Sequence, residues 1–453
     1  MIERMKTRIE EVKNIMPLEA FSALRHMPLP FIFTGGPDRR YSFASADPVA
    51  VVKALPRGTV VERIGKKKSA FDGDVFSAIT ALFSETAADA EIGKERFPFT
   101  GGAAGYFSYN LRQGAKSGKN ELTLPDCVAG LYGAVYVFDS VENKSFVVCA
   151  DDSRFLDAFQ KIKTALTNGG NRQNHDDIPL HKAGAGFVSN TTRDEYIRAV
   201  KIAQEYIKDG DIYQINISHR LKIQWQGDPL ALFAWLVKNR PLPFSAFMDM
   251  GDFQIISNSP ERLLKTDGTS AQTSPIKGTR PRGRTPEEDK RFIWALKNSV
   301  KERAEHVMIV DLERSDLGAV SAPGSVKVTQ FEAVKTFPGL HHMVSTISST
   351  LESSSLECLR AIFPGGSVTG APKIRAMEII DELENAPRGL YTGGLGWVDF
   401  SGDMDMAMAI RTAVYKDGAL YLSVGSGIVA DSKPEEEYDE TILKAKDFFD
   451  AII

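Results

Sequence analysis

The sequence predicts an α+β fold dominated by antiparallel sheet, and three observations carry that prediction. Short β-rich runs punctuated by Gly and Pro fill the first third of the chain. Well-signalled helices recur later, but strands and helices never settle into the regular βαβ alternation of a parallel sheet. One strand-like run carries a row of polar side chains on a single face.

Taken in chain order, residues 135–139 (VYVFD) and 145–149 (SFVVC) read as a hairpin. A polar, turn-rich stretch follows, and residues 168–186 are expected to be a linker. It separates an N-terminal region, 1–167, from a second region, 187–453. The second region opens with a helix. Thr192 and Glu195 have capping-box spacing, Tyr196, Val200, Ala203 and Ile207 recur at helical spacing, and Gly210 ends the run. A strand over residues 212–221 comes next, with Gln214, Asn216, Ser218 and Arg220 on one face. Such a face is either wet or lines a site. Thr285 and Glu288 form a second capping-box pattern, with Pro286 at the first helical position.

Composition bounds the function. The 453 residues are 43% hydrophobic and 25% charged with a formal net charge of −4. This is a soluble globular balance with no global field to attract nucleic acid or an anionic membrane. A negatively charged substrate would need local Lys, Arg or metal. Cys127, Cys149 and Cys358 are isolated, which fits a reducing cytoplasm better than a disulfide framework or a zinc site. No apolar stretch approaches the ~18 residues of a membrane span.

Four carboxylates stand out. Glu302 and Glu305 share a helix face, and Glu437 and Glu440 repeat that spacing, with Lys444 on the next turn. Such pairs suit magnesium, a hard cation that takes oxygen ligands and keeps several waters. Equally, Glu302 could close a capping box with Ser299, and residues 435–440 could be a solvated acidic first turn. The glycine-rich turn at residues 363–373 (FPGGSVTGAPK) is a structural turn or, through Thr369, Gly370 and Lys373, a carboxylate- or hydroxyl-binding one. Gly425 and Gly427 mark a bulge or a close backbone approach. Arg411, in a strand-like run, is a sheet-face residue or a carboxylate clamp. Lys277, in a tight turn between Ile276 and Gly278 with Arg280 and Arg282 near, is an exposed basic residue or an activated amine.

Together the segments GDIYQINISHRL, SNSPERLL, SPIKGTRPRG, ERAEHVMIVDLERSDLG, FPGGSVTGAPKIRAMEII and GSGIVADSKPEEEYDET closely resemble the chorismate-utilising enzymes. The resemblance runs from about residue 194 to the C-terminus. It is weaker in the first half, at residues 98–106 and 124–126. It implies packed antiparallel sheets flanked by helices, with the active site in a deep cleft. It implies Glu305 and Glu437 as ligands of a Mg2+ ion that bridges to the ring carboxylate of chorismate, with Glu302 and Glu440 as their outer partners. Arg411, Lys444, Tyr391, Gly425 and Gly427 resemble the groups that hold the enolpyruvyl carboxylate, and Thr369 and Gly370 the wall near the ring. Glu261 corresponds to the acid that protonates the departing hydroxyl, and His342 to the histidine near it.

Two positions discriminate within the resemblance. Water-using members carry a base lysine where this chain has Gln214. Members that aminate carbon 2, giving anthranilate, carry alanine where this chain has Lys277, and PIKGT is typical of those that make 4-amino-4-deoxychorismate for 4-aminobenzoate and folate. The implied activity is therefore amination at carbon 4 through a covalent Lys277 adduct, with anthranilate formation as the alternative. A silent chorismate- or tryptophan-binding regulator is a third reading, and retention of all four glutamates, Arg411, Lys277 and Glu261 argues against it. No cysteine sits in a glutaminase-like context, so the resemblance implies a separate glutamine amidotransferase subunit supplying ammonia. The Leu-Leu-Glu-Ser element of feedback-inhibited members is not found, so feedback control is not expected.

Overall fold

The computed structural model describes residues 7–36, 39–86, 97–112, 121–168, 180–184, 186–337 and 339–453. Most of the expected linker, 169–179 and 185, lies outside the described residues. Two sheets, each of twelve described strands and antiparallel throughout, form the framework. Strands on the two sides of the linker share each sheet. In the first, Phe31–Gly35 lies beside Phe244–Asp249. In the second, Gly102–Phe107 lies beside Gly394–Asp399. No described helix is long and apolar enough to cross a membrane.

Aromatic side chains from both sheets interlock between them. Phe43 of the first meets Trp397 of the second at 5.6 Å, and Phe31 meets Tyr132 at 4.8 Å, both edge-on. Edge-to-face contact is favoured because ring edges and faces carry opposite partial charge. Helices cover the outer faces. Arg193–Lys208 packs Tyr196, Val200 and Ala203 against Ile215 and Ile217 of the strand Gln214–Gln224.

Local signals translate directly. The hairpin forms between Ala134–Asp139 and Lys144–Ala150, with Val135 opposite Val148. The Thr192 capping box closes in both directions, Glu195 N–H donating to the Thr192 hydroxyl and Thr192 N–H to the Glu195 carboxylate. At Thr285 only half a box forms. Glu288 N–H donates to the Thr285 hydroxyl, but the Glu288 carboxylate accepts from Arg284 N–H instead.

The chain passes from one sheet to the other at two adjacent points. Gln254–Ser259 belongs to the first sheet and Arg262–Asp267 to the second, so Glu261 sits at the crossing. Asp403–Met408 and Thr412–Lys416 make the return crossing, which carries Arg411. The two crossings are tied, Asn258 N–H donating to the Arg411 carbonyl and Met408 N–H to the Glu261 carbonyl. Arg411 is therefore in a turn with φ 50°, not on a strand as its surroundings suggested.

Candidate active site

 The two acidic helices, Val300–Gly318 and Pro434–Lys444, are remote in sequence and meet at one cation. The Lys301 ammonium lies 4.0 Å from an oxygen of Glu305 and 4.0 Å from an oxygen of Glu437. Glu437 is buried and accepts from the Ser432 hydroxyl at 2.6 Å, whereas Glu435 and Glu436 face solvent. Glu440 pairs with Lys444 at 2.7 Å. Burial holds the Glu305 carboxyl above its ordinary range. Lys277 and Lys301 oppose that shift, and the charges of Glu437 and Glu440 add to it.

Glu302 does not close a capping box. Its N–H donates to the Ser299 hydroxyl, but its carboxylate turns to Arg280 at 2.5 Å, and its other oxygen is buried with no partner among the described residues. No group of three or more His, Cys, Asp or Glu side chains converges as a ready-made metal cage among the described residues. A cation here would rest on Glu305 and Glu437 and complete its shell from water or substrate oxygens. That is the coordination magnesium favours, and the donor set fits it.

Lys277 stands on the strand Ile276–Pro281, beside an irregularity in its pairing with Leu340–Thr350, and not in the tight turn its neighbours suggested. Its ammonium donates to the Ser367 carbonyl at 3.2 Å and lies 3.6 Å from where a Cβ would sit on Gly427. Burial pulls its pKa down. Glu305 opposes the shift, and the charge of Lys444 reinforces it. Glu261 is 4% exposed and accepts from the Ser367 hydroxyl at 2.6 Å. Burial, reinforced by the charge of Glu313, pushes its carboxyl up to about 7. Ser367 thus touches both groups, through its hydroxyl and its carbonyl. It lies inside the glycine-rich turn, and nothing in the sequence marked its hydroxyl.

The polar strand face is buried, not wet. Gln214 and Asn216 each carry a buried carbonyl oxygen without a partner among the described residues. Gly425 and Gly427, on the paired strand Ala419–Ile428, leave room for them. An added Cβ would lie 2.7 Å from the Gln214 amide nitrogen at Gly427, and at Gly425 2.8 Å from the Asn216 oxygen and 2.9 Å from the Tyr391 hydroxyl. Lys444 donates to the Gly425 carbonyl at 2.8 Å. Arg411 donates to Asp447 at 3.2 Å.

His342 is 4% exposed, with Nδ1 3.0 Å from the Thr279 hydroxyl and 3.4 Å from the Gly278 carbonyl. Burial, with Arg411 near, pushes its pKa down to about 3, so the ring is neutral. A carbonyl can only accept, so that contact puts the proton on Nδ1 and leaves a lone pair on Nε2. Nε2 is buried without a partner among the described residues.

Thr369 and Lys373 are turned to structural use. The Thr369 hydroxyl donates to the Gly365 carbonyl at 3.0 Å, and Lys373 is held by Asp316 and the Ile362 and Pro364 carbonyls. Gly370 has φ 153°, and an added Cβ would lie 2.3 Å from the Gln214 carbonyl oxygen. Gly370→Ala should therefore destabilise the chain by about 1–3 kcal/mol, read from the midpoint of denaturant unfolding.

A family model described as chorismate binding enzyme matches residues 31–450. Aminodeoxychorismate synthase component 1 of Escherichia coli is 37% identical over 434 residues, covering 94% of this chain and 93% of that protein. Anthranilate synthase component 1 of Aquifex aeolicus is 38% identical over 380 residues, covering 79% and 76%. The crystal structure of anthranilate synthase component I from Streptococcus pneumoniae superposes with a TM-score of 0.80 at 30% identity, covering 98% of this chain and 99% of that one.

Proposed function

The chain belongs to the chorismate binding enzyme family, and from that premise we propose that it converts chorismate and ammonia to 4-amino-4-deoxychorismate. Overall identity does not separate amination at carbon 4 from amination at carbon 2, since relatives of both kinds match at 37% and 38%. The observation that carries the proposal is the position of Lys277. Its amine is held beside Gly427 and Ser367, in surroundings that favour the neutral, nucleophilic form.

Glu305 and Glu437 would hold magnesium, with Glu302 and Glu440 outside them; when bound, the ion supplies Lewis-acid polarisation of the ring carboxylate. Arg411, Lys444 and Tyr391 orient the enolpyruvyl end. Glu261 gives its proton to the hydroxyl leaving carbon 4, which departs as water, while the Lys277 amine forms a bond to carbon 2. His342 accepts a hydrogen bond from that hydroxyl at Nε2 and sets its direction. Ammonia then bonds to carbon 4 and Lys277 leaves carbon 2, restoring the ring double bonds. Gln214 is no base, so water is not activated. Ammonia comes from a glutamine amidotransferase partner, in keeping with the component 1 names of the relatives.

Incubation with chorismate, ammonium and magnesium, with products resolved by mass spectrometry and the lysine adduct trapped, tests the reading. The 4-amino product and an adduct on Lys277 are expected, and anthranilate as the sole product would overturn it. A pH dependence follows from Glu261. Its proton is present below about 7 and lost above, so turnover should fall as pH rises through that value. Glu261→Gln should remove that limb and lower kcat by about 10²–10⁴-fold, read from a kcat–pH profile.

A further inference from the structure

Behind the wall of the site lies a buried ion pair that the reaction scheme does not use. Arg388 and Glu384 have side chains 1% and 5% exposed and meet at 2.7 Å. The guanidinium has five N–H donors in a fixed fork, and partners surround all of them. Nε donates to the Glu384 carboxylate at 3.1 Å. One terminal nitrogen donates to the Val368 carbonyl at 2.9 Å and the Thr392 hydroxyl at 3.3 Å. The other donates to the Asn216 carbonyl at 2.6 Å and to Glu384. Glu384 also accepts from the N–H and hydroxyl of Ser218, both at 2.9 Å. The guanidinium lies over the rings of Tyr109 at 4.8 Å and Tyr391 at 5.8 Å.

These partners come from three separate stretches: the polar strand at Asn216 and Ser218, the turn next to Thr369 and Gly370, and the segment of Tyr391 and Thr392. We infer that Arg388, oriented by Glu384, is the positioning residue that locks these stretches into one wall for the enolpyruvyl end of the substrate. The inference rests on the proposed reading, in which Tyr391 and Gly425 face that end. Lysine cannot replace Arg388, because three donors from one point cannot reach partners set around a planar fork.

The test compares wild type with Arg388→Lys, Glu384→Gln and Thr392→Val, using the full chain with chorismate, ammonium and magnesium, and calorimetric titration with chorismate. Arg388→Lys should raise KM and the dissociation constant for chorismate at least about tenfold while kcat changes less than about threefold. Thr392→Val removes one acceptor, leaves the ion pair, and should shift both constants in the same direction by about two- to threefold. It carries the test if the charge variants do not fold. Wild-type KM and binding in folded Arg388→Lys, or in Thr392→Val where the charge variants fail to fold, would overturn the inference. So would a fall in kcat at unchanged KM. Failure of the reading is separately visible: wild type would then make anthranilate, while the loss of chorismate affinity in Arg388→Lys would stand.

Discussion

Lys277→Ala is expected to lower formation of the 4-amino product by at least about 10³-fold, with part of the remaining flux diverted to the 2-amino isomer. In the proposed scheme, while the lysine nitrogen is bonded to carbon 2, ammonia has only carbon 4 left to attack. Without it, direct attack at carbon 2 opens. The substitution leaves the strand Ile276–Pro281 in place, because its pairing with Leu340–Thr350 is made by backbone groups. The substitution also removes the lowering effect that protonated Lys277 has on the Glu305 and Glu440 carboxyls. The measurement is the ratio of the two aminated products by mass spectrometry, helped by the fluorescence of anthranilate. Wild-type rates of the 4-amino product in this variant would refute a covalent role for Lys277.

Glu305→Gln is expected to abolish magnesium-dependent turnover, a loss of about 10³-fold or more. A second readout does not involve activity. Burial raises the Glu305 carboxyl pKa above its unfolded value, so ionised Glu305 weighs against the folded state and the penalty grows as pH rises through the raised value. The neutral amide removes it. Without magnesium the variant should therefore melt at or above the wild-type temperature at pH 8. Added magnesium should raise the wild-type melting temperature through binding linkage and leave the variant unmoved. Unchanged magnesium dependence in the variant would remove Glu305 from the ligand set.

The legible parts of this fold were local. The hairpin over residues 134–150 and the helix capped by Thr192 depend on side-chain period and on hydrogen bonds between neighbours, and both formed as read. Pairing partners were not legible. Period-two alternation says which face a residue occupies, not which distant strand lies beside it, so the interleaving of the two regions within each sheet was invisible. The same limit hid the chemistry. Glu302 had a local alternative with Ser299, and only the approach of Arg280 from the strand Ile276–Pro281 decided against it. Arg411 lay in an apolar run that looked continuous, yet the chain turns there because it must change sheets. Ser367 and Arg388 act through backbone carbonyls that only the folded chain assembles. The residues that resemble a known family converge on one neighbourhood, although no local pattern requires it.

The interleaved sheets also constrain how the chain is made. Thr34 donates to the carbonyl of Ser245, 211 positions further on. At about 5–20 residues per second, a ribosome needs roughly 10–40 s to deliver that partner. Through that interval the nascent N-terminal strands present unpaired backbone edges, the feature that templates intermolecular association. Chaperone demand during synthesis, and insoluble product from transcripts truncated before the second region, are the expected consequences of drawing each sheet from both ends of a polypeptide.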